Sequence, residues 1–209
     1  MNLPNKITTF RMVMVIALVI IMLFPYQDVG ANIPMVFGEV NAIYFTALIL
    51  FVVAALSDAF DGYFARKLNL VTNLGKFLDP IADKLLVNSL LIILLVPQVI
   101  LGEDTTQMQI HILAVVLMIG RDLIVDALRL VAANQNKVLA ANIGGKIKTV
   151  LQMVAIPAVL LNNWPFSYIT TTINIAEILV WLATAASVIS GIIYLVQNRY
   201  VLKEAHTDE

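Results

Sequence analysis

Four aspartates, Asp58, Asp61, Asp79 and Asp83, lie within the stretch SDAFDGYFARKLNLVTNLGKFLDPIADKLL, residues 57–86. Asp58 and Asp61 are three apart and Asp79 and Asp83 are four apart, so each pair shares one face of a helix. Carboxylates brought together at that spacing repel one another unless positive charge sits between them. Arg66 and Lys84 are the bases that the helices of this stretch supply unambiguously. A divalent cation is the economical counter-charge. An all-oxygen donor set without His or Cys favours Mg²⁺, Mn²⁺ or Ca²⁺ over zinc, and four shared carboxylates could hold two such ions. The alternative is four acids at a water interface, each solvated or capping a helix.

The elements that carry these acids are apolar. Of 209 residues 60% are hydrophobic and 13% charged, more apolar surface than a water-soluble domain of this length could hide. The chain therefore reads as an integral membrane protein. A net charge of -1 argues against a nucleic-acid partner. The absence of cysteine excludes disulfides and thiolate metal sites.

A helix needs about 20 apolar residues to cross the hydrocarbon. Six runs approach that length, roughly Ile7 to Phe24, Ala42 to Phe64, Phe77 to Val96, Ile110 to Leu130, Ile147 to Leu161 and Ile173 to Val196. The fold class is thus all-α, a polytopic membrane protein with six transmembrane helices. One domain covers residues 1–209, with a polar tail from about 199. Lysine and arginine fall at the chain start, between spans two and three, between four and five, and in the tail; the loops after spans one, three and five have none. The positive-inside rule then puts both termini in the cytoplasm. The first run exceeds the ~7–15 residues of a signal-peptide core, so it is expected to remain as a span. His111, Trp164 and Tyr168 fall toward the outer side, where such side chains anchor at the interface.

The acid pairs then sit at the cytoplasmic end of span two and the cytoplasmic start of span three, on neighbouring antiparallel helices. An aspartate at the bilayer centre costs roughly 2.5–3.5 kcal/mol, less near the surface, so a deep unpaired set is untenable. Gly62 and Gly75 mark positions where backbone or phosphate could approach closely.

The run from Asp58 through Gly62, Ala65 and Arg66 to Gly75, Asp79 and Asp83 resembles the signature of the CDP-alcohol phosphotransferases. That pattern is Asp-x-x-Asp-Gly-x-x-Ala-Arg, eight residues, then Gly-x-x-x-Asp-x-x-x-Asp, and every defined position matches. The opening PNKITTFRM is similar to the family's Pro-Asn-x-x-Thr-x-x-Arg. The stretch from Gly120 to Ala155 resembles the bacterial members that make phosphatidylglycerophosphate. In it, Arg121-Asp122 stands where that group carries Arg-Glu.

The resemblance implies a homodimer in a bacterial inner (plasma) membrane, multi-pass, with its active site facing the cytoplasm. It implies displacement of CMP from a CDP-linked lipid by an alcohol hydroxyl. Asp58, Asp61 and Asp79 would carry two divalent cations, Mg²⁺ or else Mn²⁺. Asp83 would share the second ion and act as general base; the alternative is a ligand with no proton role. Gly62 and Arg66 match the cytidine-nucleotide contacts, Thr72 is a further CDP-diacylglycerol contact, and Asn5 and Thr8 either touch the nucleotide or cap the first helix.

For the acceptor, Arg121 and Arg129 lie two turns apart on span four, and Lys146 and Lys148 open span five. Positive-inside anchoring explains Lys137 but not an arginine inside an apolar run. Several bases suit a phosphorylated acceptor, and glycerol 3-phosphate provides both a phosphate and a free hydroxyl. Serine, inositol phosphate or phosphatidylglycerol as acceptor remain alternatives, as does a divalent-cation transporter.

Overall fold

The computed structural model describes residues 3–26, 28–36, 40–68, 73–102, 107–137, 139–140, 143–168 and 174–202. Within helices, the side chains of residues 3–6, 59–68, 73–77, 79 and 99 are also outside the description. The described elements are α1 (Leu3–Leu23), β1 (Met35–Val36), β2 (Val40–Asn41), α2 (Ala42–Leu68), α3 (Asn73–Ile93), α4 (Pro97–Leu101), α5 (Ile112–Asn134), α6 (Ile143–Leu160) and α7 (Ile175–Gln197), with single 3₁₀ turns at Phe166–Tyr168 and Arg199–Leu202.

Each of the six apolar runs falls on one of the long helices. The helices outrun the apolar stretches at one kind of end. α1 is already helical at Leu3, α2 continues to Leu68, α3 begins at Asn73, α5 reaches Asn134 and α6 begins at Ile143. These are the ends that bear the lysines and arginines. Hydropathy stops counting at the first charge, whereas backbone hydrogen bonding does not. At about 1.5 Å per residue, the 27 residues of α2 rise about 40 Å, some 10 Å more than a bilayer core. A small antiparallel ribbon, Met35 opposite Asn41 and Val36 opposite Val40, adds strand where only loop was expected.

The chain divides into two units. The first comprises residues 1–109 and 156–174, the second 110–155 and 175–209. In the first, α1 packs on both α2 and α3. Thr8, Arg11, Val15, Leu18 and Met22 are buried along α1, and Tyr44, Ala47, Phe51 and Ala54 along α2. Both series step by three and four residues, the repeat of one helical face. Asp58 is the next step on α2. On α3 the buried series Ala82, Leu86, Leu90 and Ile93 has the same repeat. The apolar stripe of α2 therefore runs directly into the first acid.

In the second unit α5 packs on α7. The facing stripe of α7 is built from small and polar residues, Ala183, Thr184, Ser187, Ser190 and Gly191, before Tyr194. Val125, Leu128, Ala132, Tyr194 and Val201 form one cluster there. Polarity is inverted relative to a water-soluble fold. Arg11, Lys148, Gln152 and Ser187 are buried, while Ile16, Ile20, Leu123, Leu130, Ile189 and Val196 are each more than half exposed. Such a surface requires apolar surroundings. Several helical hydroxyls donate to the carbonyl four residues back, as in Ser57 to Val53 and Thr184 to Val180. By length and composition α6 and α7 qualify to cross a membrane among the described residues. The stretches Ile7–Leu23 and Ala42–Asp58 are shorter apolar helices by the same measure.

Two helix ends close on asparagine. After α5, Asn136 adopts φ 55°, and the Lys137 amide donates to the Ala132 carbonyl. After α6, Asn162 adopts φ 53°, and the Asn163 amide donates to the Ala158 carbonyl. Both are Schellman closures with Asn in the left-handed position. Asn162 does more, because its Oδ1 accepts from the Met108 amide at 2.9 Å. His111, expected as an interfacial anchor, caps α5: its Nδ1 accepts from the Leu113 amide at 3.2 Å. Replacing Asn162 separates backbone from side-chain effects. Asn162→Gly keeps the left-handed turn and loses the hydrogen bond, about 1 kcal/mol. Asn162→Ala loses both, about 2 kcal/mol, so its melting temperature in detergent falls further below wild type than that of the glycine variant.

Candidate functional site

The acid end of the first unit begins with Arg11. This side chain is 1% exposed, three residues beyond the equally buried Thr8, on the face of α1 that carries the core. Its Nη1 pairs with Oδ1 of Asp58, whose side chain is 52% exposed. The pair joins the first half of α1 to the second half of α2. Hydropathy and charge placed Arg11 only among the orienting bases. Its partner is not evident in the sequence because 47 residues separate the two, and only the three-four repeat of α1 puts Arg11 on the inward face.

Asp83 is half-buried on α3. Asp61, Gly62, Arg66 and Asp79 lie on α2 and α3, but their side-chain positions are outside the described residues, as is that of Asn5; Thr72 lies outside them altogether. Thr8 sits in the second turn of α1, past the capping positions, so the capping alternative for it falls away. Among the described residues no three metal-ligating side chains converge, with two of the four aspartates not described.

The second unit holds a charged cluster inside its helices. Arg121 Nη1 donates to Asp122 Oδ1 at 3.0 Å, and Lys148 Nζ donates to Asp122 Oδ2 at 2.5 Å. Arg121 Nη2 donates to Ser190 Oγ at 3.1 Å, and Ser190 in turn donates to the Ser187 carbonyl at 3.0 Å. The side chains of Arg121, Asp122 and Lys148 are 13%, 14% and 8% exposed. Four residues from Lys148 on α6, Gln152 donates to Met118 Sδ, four residues before Asp122 on α5. α6 and α5 therefore run antiparallel past one another at this point. Asp122 thus accepts from two cations.

Of the four bases expected to hold an acceptor phosphate, the structure joins two. Arg121 and Lys148 meet on Asp122. Lys146 is exposed, because two residues along a helix turn a side chain to another face. Arg129 is exposed and donates through Nε to the Tyr194 hydroxyl at 3.3 Å, with its guanidinium 5.5 Å from that ring's centre. Asp122, Ser190 and Gly191 were not foreseen as site residues. The available signal was the small and polar series Thr184, Ser187, Ser190 and Gly191 at one-face spacing in an apolar helix.

A mostly helical chain with two acid pairs on α2 and α3 and a buried cationic cluster on α5 and α6 fits an enzyme that handles phosphate esters. The whole sequence agrees. Residues 1–189 match the CDP-alcohol phosphatidyltransferase family. The chain is 42% identical over 209 residues to the CDP-diacylglycerol–glycerol-3-phosphate 3-phosphatidyltransferase of Bacillus subtilis (strain 168), covering 98% of this chain and 99% of that one. It is 33% identical over 193 residues to the protein of that name from Rickettsia typhi, covering 92% and 94%. For the Mycoplasma pneumoniae protein of the same name, the identity is 34% over 216 residues, covering 97% and 89%. This chain belongs to the CDP-alcohol phosphatidyltransferase family.

The Arg11–Asp58 pair is asymmetric, and its two halves respond differently to mutation. Asp58→Asn strands a buried cation and costs about 3 kcal/mol of stability, whereas Arg11→Met leaves a half-exposed carboxylate that water solvates and costs no more than about 1 kcal/mol. Thermal unfolding of both variants in the same detergent measures the difference.

Proposed function

We propose that this protein transfers the phosphatidyl group of CDP-diacylglycerol to glycerol 3-phosphate, giving phosphatidylglycerophosphate and CMP. The observation that carries this reading is end-to-end similarity, at 42% identity, to a protein named for that reaction. The Arg121–Asp122–Lys148 cluster supports the choice of acceptor. A guanidinium has five N–H donors and an ammonium three. Asp122 and Ser190 engage only part of this set, which leaves donors for phosphate oxygens.

In this reading the six long helices cross a bacterial inner membrane with both termini in the cytoplasm, and the protein is a homodimer. Asp58, Asp61, Asp79 and Asp83 hold two divalent cations, Mg²⁺ or Mn²⁺. The donor set is oxygen only, and Asp58 fits, since one of its oxygens meets Arg11 while half of the side chain stays open. When bound, the ions neutralise the pyrophosphate and the charge that develops on departing CMP. Gly62 and Arg66 receive the cytidine nucleotide, Arg66 with a planar fork for phosphate. Asn5, Thr8 and Thr72 border the donor.

The hydroxyl of glycerol 3-phosphate attacks the lipid-side phosphorus. A new P–O bond forms, the bridging P–O bond to CMP breaks, and CMP leaves with the electron pair. Asp83 takes the hydroxyl proton. Arg121 and Lys148 hold the acceptor's phosphate, so the attacking oxygen arrives positioned rather than by collision. Arg129 and Lys146 add positive charge on the same helices.

Purified protein supplied with CDP-diacylglycerol and Mg²⁺ releases CMP when glycerol 3-phosphate is added, and a chelator stops it. Asp83→Asn lowers kcat at least about a hundredfold while donor binding survives. CMP released with serine and not with glycerol 3-phosphate would overturn the acceptor. Cation flux into liposomes without CMP would overturn the enzyme reading.

A further inference from the structure

The stem of Arg121 lies where a side chain on α7 would otherwise be. A Cβ built on Gly191 falls 2.6 Å from Arg121 Cγ, 3.3 Å from its Nε and 3.5 Å from its Cδ. The first contact is near the backbone of α5, not at the flexible tip, so the arginine must move to admit even a methyl group. The residue before it, Ser190, accepts from Nη2 of the same guanidinium at 3.1 Å. Absence of a side chain at one position and a hydroxyl at the next thus fix both the path and the end point of Arg121. Gly145 and Gly120 impose no such limit. A Cβ on Gly145 would stand 3.6 Å from Arg121 Nη2, ordinary contact, and one on Gly120 would meet nothing within 4 Å.

We propose that the Ser190-Gly191 step of α7 is a positioning element for the acceptor, acting through Arg121. It rests on the assignment of Arg121 to the acceptor phosphate in the preceding reading. Beside Arg121 and Gly191 lies a cavity of about 220 Å³, lined also by Gly120, Ile124, Val188 and Ile192. A methyl group at residue 191 pushes the arginine stem toward this space, so the helices stay packed while the guanidinium leaves Ser190 and Asp122. Alanine is also the better helix former, so a variant weakened only through local helix stability would show the opposite sign.

The test is a double-mutant cycle on the purified full-length protein in detergent, following CMP release from CDP-diacylglycerol and glycerol 3-phosphate. Gly191→Ala raises the KM for glycerol 3-phosphate about tenfold, with kcat and the donor KM within about twofold. Its melting temperature does not fall, and Gly120→Ala behaves as wild type. On an Arg121→Ala background, itself raised in acceptor KM, Gly191→Ala adds less than about twofold. A silent Gly191→Ala, or the full factor again on the Arg121→Ala background, overturns the proposal. If Gly191→Ala does not fold, Ser190→Ala carries the same cycle, with a rise of about threefold that vanishes without Arg121. Arg121→Ala with an unchanged acceptor KM removes the arginine from the acceptor site and this proposal with it. Absence of any CMP with glycerol 3-phosphate as acceptor instead removes the acceptor reading itself.

Discussion

A charge set among apolar helices has no water to turn to, and its counter-charge must come from the chain. Moving a bare ion into such surroundings costs several kcal/mol even after relaxation. Arg11 meets Asp58, and Lys148 meets Asp122. Each pair bridges two helices, so neutralisation and helix register are one event. Apolar stripes that step by three and four residues fit a neighbour nearly as well after a slip of seven. A charge pair does not. The pairs, each with a buried cation, therefore help to specify how α1 lies on α2 and how α6 passes α5, in the way a single polar residue fixes register in a coiled coil.

Close approach of the helices has a second requirement, small residues along the stripes. Ala47, Ala54 and Ala82 are fully buried in the first unit, and Ala183, Ser187, Ser190 and Gly191 lie along α7 in the second. Lipid tails are as apolar as leucine, so helix association in a bilayer relies on packing and polar contacts rather than on expulsion of water. The same small residues make room for long polar side chains. Arg121 reaches Ser190 across the gap left by Gly191. Packing and this polar contact share one surface of α7, so the contact cannot be moved without repacking the helix.

The helices were legible because an apolar run is a local signal. Hydropathy located all six long helices, and fixed spacing alone singled out the aspartates. What escaped was non-local or lay at the margins of the apolar runs. The helix ends were set short because polar residues that continue the backbone pattern look like loop to a hydropathy count. The ribbon at Val36 and Val40 has only two residues a side, too short for any alternation to register. Arg11 as the partner of Asp58, and Asp122 as the joint between Arg121 and Lys148, depend on which faces meet across tens of residues. Grouping all the bases of spans four and five together ignored that Lys146 and Lys148 lie on different faces of one helix.

The cluster around Asp122 also bears on which acceptors are compatible with it. In the proposed reading, the N–H donors that Arg121 and Lys148 have to spare meet the acceptor. Free serine brings an ammonium group, which Arg121 and Lys148 would repel, and its single carboxylate offers only two oxygens. Phosphatidylglycerol offers a phosphodiester of one negative charge, flanked by ester oxygens and anchored to two acyl chains. A phosphomonoester presents three terminal oxygens and up to two negative charges, enough to engage both cations at once. Glycerol 3-phosphate and inositol phosphate share that group, so charge cannot separate them and reach must. The distance from the phosphate to the attacking hydroxyl has to match the distance from the guanidinium to the donor phosphorus. In that reading Asp122 and the Ser190-Gly191 step hold one end of the ruler, since they are the groups that Arg121 meets at its tip and along its stem.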